Sequence, residues 1–172
     1  MKFLCDEMLA VLARWLRAAG YDACSGSTGE TDRTLLQRAQ DQDRILLTRD
    51  RAILLMKDAP RSTIVLHGET LDDWACELNM VCGLNWLHRP MSRCLVCNVD
   101  LVEADEQALA RMPEDSRALP GPFMSCPACK RGYWPGSHVK RMMAKLEYFA
   151  SNCGHAPLDT QRRKGHDPRH DH

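Results

Sequence analysis

Two short cysteine pairs carry the sharpest chemical signal in the chain. Cys94-Leu-Val-Cys97 and Cys126-Pro-Ala-Cys129 each hold two thiols at the spacing where one tight turn aims both thiolates at a single ion. Two such knuckles complete a tetrahedral four-thiolate zinc site, which leaves no open position for water and so holds the fold rather than performing chemistry. The 28 residues between the pairs are more than a compact ribbon needs, and the acidic stretch 98–119 reads as an insertion. A redox dithiol pair is the competing reading, and no thioredoxin-like context supports it. Cys5, Cys24, Cys76, Cys82 and Cys153 have no paired spacing, and the first four read as small buried hydrophobes.

Directly after the second knuckle comes KRGYWPGSHVKRM. Here Tyr133 and Trp134 stand among Lys130, Arg131, His138, Lys140 and Arg141. Aromatic faces stack bases and cations hold phosphates, a combination suited to single-stranded nucleic acid. The same residues also suit an aromatic packed over the knuckle with its cations merely solvated.

A third group of residues is more dispersed. Asp6 follows FLC, Asp32 lies where a loop opens into a helix, and Asp50 follows RILLTR. In a parallel sheet all three would reach one edge, where clustered carboxylates bind Mg²⁺ or Mn²⁺ through oxygen. Such ions activate water and stabilise the leaving oxygen in phosphodiester cleavage. Aspartate is equally a favoured N-cap, and each of the three precedes a predicted helix. Glu7 and Glu30 could assist, while Arg14, Arg17, Thr48 and Arg49 are phosphate-contact candidates.

The elements that must position these groups alternate. MKFLC, YDACSG, RILLT and STIVLHG read as buried strands, the last over 62–68. Between them, Met8 to Ala19 has helical spacing with Gly20 placed as its C-cap, 33–41 is a short helix, and 52–57 a turn or two. Helical periodicity returns over 71–84. The pattern predicts an α/β fold, with a parallel sheet flanked by helices and ligands collecting at the carboxyl ends of the strands. Proline and glycine near 89–93 mark a boundary. The expected organisation is an α/β domain over 1–90, a cysteine ribbon over 91–149, and a disordered tail over 150–172 whose four histidines have no fold to hold them.

Equal numbers of basic and acidic residues, 23 of each, mean that net charge names no partner. Residues 126–149 nevertheless carry five basic side chains against one acidic, a basic segment beyond the acidic 98–119 connector. No apolar run approaches the roughly 18 to 20 residues that span a bilayer. MKFLCDEM turns charged too early for a signal peptide, so the expected location is the cytoplasm, where disulfides are the weaker explanation for cysteines.

FLCDEMLAVLARWLRAAGYD, TDRTLLQRAQDQDRILLTRDRAILL, RCLVC, CPAC and YWPGSHVKRM together resemble the Mut-seven C-terminal ribonuclease domain family, a branch of the PIN-like nucleases. The resemblance runs from residue 2 to about 149. It implies a PIN-like α/β domain with a C-terminal zinc ribbon and a metal-dependent RNase activity on RNA. Asp6, Asp32 and Asp50 match the acidic positions for Mg²⁺ or Mn²⁺, and Cys94, Cys97, Cys126 and Cys129 match the zinc ligands. A fourth acid would follow the strand at 62–68, where Glu69, Asp72 and Asp73 compete for the role. Some bacterial relatives begin with a ubiquitin-like module, which is not expected in a sequence that starts at the first strand. A homodimer is plausible only by analogy with PIN-like proteins. Two other readings stand beside the nuclease: an RNA- or ribosome-binding adaptor with a vestigial centre, and a zinc-stapled protein-interaction module using the acidic segment.

Overall fold

The computed structural model describes residues 1–56 and 63–153. The expected tail beyond Cys153, the start of the strand at 62 and Lys57 lie outside them, whereas 150–152, expected to be disordered, are the last turn of a helix over Ser137–Asn152. Four short strands, β1 (Lys2–Cys5), β2 (Asp22–Ser25), β3 (Ile45–Thr48) and β4 (Thr63–Val65), form a parallel sheet in the order β2-β1-β3-β4. Strand periodicity sorts the core onto two faces. Phe3, Cys5 and Leu47 point into one cluster, whereas Leu4 and Leu46 pack with Leu35, Leu36, Ala39 and Ile53 in the other.

Helix α1 (Ala10–Ala18) enters through a 3-10 turn over Glu7–Leu9 and buries Leu12, Ala13 and Leu16 on the first face. Its end requires glycine. Gly20 has φ +96°, and a Cβ there would meet the Arg89 Cβ at 2.6 Å. Helix α2 (Asp32–Asp41) is capped by Thr31, whose hydroxyl accepts from Thr34 N–H, and covers the opposite face. The predicted turn at 52–57 is a 3-10 helix over Arg51–Leu55. Helix α3 (Leu71–Cys82) starts at a Thr70/Asp73 capping box and stops at Gly83, which adopts the left-handed conformation.

Beyond Leu84 the chain leaves the α/β pattern. A three-stranded antiparallel sheet, β5 (Val102–Glu103), β6 (Met124–Ser125) and β7 (Gly132–Tyr133), carries two short helices, α4 (Glu106–Ala110) and α5 (Glu114–Arg117), in its acidic insertion. The core runs straight through this change, because Cys94, Leu95, Leu101, Cys126 and Tyr133 share a cluster with Phe3, Leu12 and Trp74.

Two devices dock the ribbon on the sheet. Asn98, at φ +64°, presents its amide to edge strand β2, taking the Ala23 N–H at 3.0 Å and donating to Asp22 Oδ1 at 2.6 Å. Arg17 spends its guanidinium on Ala23 O at 2.6 Å, Leu95 O at 3.0 Å and Val96 O at 3.1 Å. A free sheet edge invites pairing with other chains, and this contact covers it.

The chain then returns. Helix α6 (Ser137–Asn152) packs on α1 and α3, with the Phe149 ring 5.7 Å from Trp15 and 4.9 Å from Trp86. Lys145 pairs with Asp72 at 2.6 Å. Cys76 of α3 is disulfide-bonded to Cys153 at the end of α6, which corrects its expected role as a simple buried hydrophobe. No local spacing could announce a pair 77 residues apart. Cys5 does fill the expected role, with burial pushing its thiol up to about 12, while Cys24 and Cys82 are only half-buried. Closing so long a loop restricts the unfolded chain, so Cys153→Ser should lower stability by about 2 to 4 kcal/mol in chemical denaturation. An unchanged midpoint would show that α6 is held by packing alone.

Candidate active site and metal centre

The two knuckles meet as the spacing predicted. One ligand atom from each of Cys94, Cys97, Cys126 and Cys129 lies within 4.8 Å of the others. Main-chain N–H groups turn toward the sulfurs, Cys97 N–H to Cys94 Sγ at 3.3 Å and Cys129 N–H to Cys126 Sγ at 3.4 Å. The Tyr133 hydroxyl donates to Cys94 Sγ at 3.2 Å. Burial opposes ionisation of Cys94, but the Cys97 N–H, the Tyr133 hydroxyl and the Val96 N–H outweigh it and bring the thiol to about 6. Cys97 is held up at about 12, first by its hydrogen bond with Cys129. Four soft donors around one centre, with a thiolate already favoured, fit a metal such as zinc.

The acids occupy the other end of the molecule's chemistry. β1 and β3 flank the point where the strand order reverses, and Asp6 and Asp50 follow those two strands. Asp6 caps nothing with its side chain. Its Oδ2 instead accepts from the buried Thr48 hydroxyl at 2.9 Å, and that hydroxyl accepts from Asp50 N–H at 3.0 Å. A single hydroxyl thus ties the two acidic positions together across the switch point. Asp50 is a true cap, since its Oδ1 accepts from Ala52 N–H at 2.8 Å, which leaves Oδ2 uncommitted. Asp32 is the first residue of α2 rather than its cap, and it is half-buried. Among the described residues, the four cysteines are the group of metal-ligating side chains gathered closely enough to hold an ion, and the three aspartates are not drawn together in this way.

The neighbouring acids are committed elsewhere. Glu7 accepts from the Thr28 hydroxyl at 2.8 Å, and Glu30 pairs with Arg38 at 2.8 Å. Of the fourth-acid candidates, Asp73 belongs to the α3 capping box and Asp72 to Lys145. Sequence reasoning passed over Glu77, which accepts from His67 N–H at 2.8 Å and Gly68 N–H at 2.5 Å just past β4. It also passed over Arg51, whose guanidinium lies 3.2 Å from His67 Nδ1 and brings two basic groups to the ends of β3 and β4. Arg51 and His67 each come two or three residues after a strand, which was the available signal, whereas Glu77 lies within α3 and gave none.

Thr48→Val would keep the shape but orphan Asp6 Oδ2 and the Asp50 N–H. The expected cost is about 1 to 3 kcal/mol by chemical denaturation, and no loss of stability would mean that the bridge is incidental.

The proposed RNA-contact residues divide. Arg17 is consumed by backbone carbonyls, and Arg49 lies over the Trp74 ring at 5.8 Å. Tyr133 is buried with its hydroxyl on the metal cluster, so its ring packs rather than facing solvent. Trp134 is half-buried, and Lys140 and Arg141 are exposed on α6. Arg14 and His138 meet at 3.3 Å, and with Trp134 they line a cleft of about 320 Å³ between α1, the first knuckle and the start of α6.

A parallel sheet flanked by helices, carrying a four-cysteine cluster consistent with a zinc ribbon, defines the class. Within it, the family model described as Mut7-C RNAse domain matches residues 1–146, and the chain belongs to that family. No curated protein and no solved structure matches the chain. Among the described residues no helix is long and apolar enough to cross a membrane.

Proposed function

We propose that this chain is a metal-dependent ribonuclease in which Asp6, Asp32 and Asp50 hold Mg²⁺ or Mn²⁺, while zinc on Cys94, Cys97, Cys126 and Cys129 fixes the ribbon that positions RNA. The observation that carries it is the Asp6–Thr48–Asp50 linkage at the strand switch point, in a chain of a ribonuclease-domain family. The donor chemistry suits a hard divalent ion, which takes carboxylate oxygens. Asp6 makes no capping bond while Asp50 keeps one oxygen free; the ion itself would have to draw Asp32 to the other two. When bound, the ion supplies Lewis-acid chemistry and lowers the pKa of its water. The protein's part is positioning. Thr48 fixes the orientation of the Asp6 carboxylate, and the exposed Arg14, His138, Lys140 and Arg141, with Trp134, provide phosphate and base contacts.

Cleavage of generic single-stranded RNA with Mn²⁺ tests this through Asp6→Asn and Asp50→Asn. Undiminished turnover by both variants would sink the three-aspartate site. A second reading, an RNA-binding adaptor with a vestigial centre, draws on the ungathered carboxylates. It predicts RNA binding that Trp134→Ala weakens, with no metal-stimulated cleavage by the parent chain.

A further inference from the structure

The cleft between α1, the first knuckle and α6 has features that a general RNA-facing surface does not require. Its volume of about 320 Å³ lies at the lower limit for small-ligand pockets, which suits one nucleotide rather than a strand or duplex. None of its lining residues is acidic, whereas Arg14, Arg131 and His138 all line it. Both arginines are exposed, and neither guanidinium has a carboxylate partner among the described residues. Arg14 reaches His138 instead, so two positively charged or chargeable groups from α1 and α6 converge at one point.

The backbone adds a second contribution. α6 begins after Gly136, which has no side chain to cap it, so the first N–H groups of a 16-residue helix open where Ser137 and His138 line the cleft. Trp134 supplies the wall. A Cβ on Gly136 would lie 2.8 Å from the indole Nε1, and one on Gly132 would lie 3.5 Å from its Cζ3, so the ring rests along the bare backbone of this segment. Such a fixed, half-buried indole is a stacking surface for a base.

We infer that this cleft is a pocket for a terminal nucleotide, taking a phosphate monoester between Arg14, Arg131, His138 and the α6 N-terminus, with the base against Trp134. It rests on the RNA reading for its ligand class alone, and not on the acidic centre. On this account the ribbon grips an RNA end, with a doubly charged terminal phosphate favoured over the singly charged internal diester.

Titration calorimetry of the full, zinc-loaded chain with 5′-AMP, 3′-AMP, adenosine and inorganic phosphate tests the inference. One of the two nucleotides should bind at least about ten-fold more tightly than adenosine or phosphate, since only it satisfies both halves of the pocket. The tighter isomer names the RNA end, and either result supports the pocket. Arg131→Gln and Arg14→Gln, both at exposed positions, should each weaken that binding about ten-fold. Trp134→Ala should do so by a similar factor, its folding checked by circular dichroism. The Asp6→Asn/Asp50→Asn double variant should bind as the parent does, which separates this pocket from the nuclease centre. Nucleotide binding no tighter than adenosine, or binding indifferent to both arginine substitutions, would overturn it.

Discussion

Cys126→Ser protein should emerge from dialysis with its zinc content reduced from about one equivalent to near zero, and with its thermal transition lowered or lost. The substitution leaves three thiols where a closed site needs four, and structural zinc in small ribbons supplies much of the folding free energy, about 10 to 16 kcal/mol in isolated finger peptides. The effect should reach well beyond the ribbon. Cys94 and Cys126 sit in the same cluster as the sheet, and Tyr133 is held there by its hydroxyl on Cys94. Releasing the knuckles also releases the segment that returns as α6, whose Phe149 covers Trp15 and Trp86. A destabilisation of several kcal/mol is therefore expected, read by circular dichroism melts alongside metal analysis. A metal-free variant melting at the parent temperature would show that the cysteines are not a structural site.

Asp6→Asn and Asp50→Asn should have the opposite signature, a large loss of activity with little change in stability. Each replacement preserves shape while removing the charge that attracts a hard cation. Asparagine at 50 still caps Ala52, and at 6 it retains an oxygen to accept the Thr48 hydroxyl. Stability should thus shift by less than about 1 kcal/mol. Turnover should fall about 100-fold or more, because each carboxylate is assigned directly to the ion. A Glu30→Gln control inverts the pattern, since it disturbs the Arg38 pair and the loop N–H of Ser27 rather than a ligand. If both aspartate variants instead unfold the protein while activity per folded molecule persists, the acids are architectural.

The alternation of apolar runs with helical periods was enough to predict the parallel α/β sheet, because strand and helix faces are written in nearest-neighbour spacing. The metal cluster was legible for the same reason: each knuckle is a local turn, and two of them specify a tetrahedron whatever lies between. Gly20 declared the end of α1, since few other residues reach its positive φ. The aspartates were legible as positions at a sheet edge but not as contacts. Local sequence leaves capping and ligation equivalent, and only the pairing of β3 beside β1, which brings the Thr48 hydroxyl to Asp6, engages that carboxylate outside a cap.

Tertiary structure alone decided which of several similar residues serves which purpose. Arg14 and Arg17 lie one turn apart on the same helix, yet one faces the cleft while the other is absorbed by the carbonyls of β2 and the first knuckle. Tyr133 and Trp134 are adjacent and both line the cleft, yet the Tyr133 hydroxyl is turned onto Cys94 while the Trp134 ring lies along Gly132 and Gly136. The union of Cys76 with Cys153 belongs to the same class of fact. Each depends on how the returning α6 and the ribbon dock against the sheet, a long-range register that short-period patterns do not encode. The sequence by itself determined the elements and the metal donors, and the docking of distant segments determined how the cations and aromatics are used.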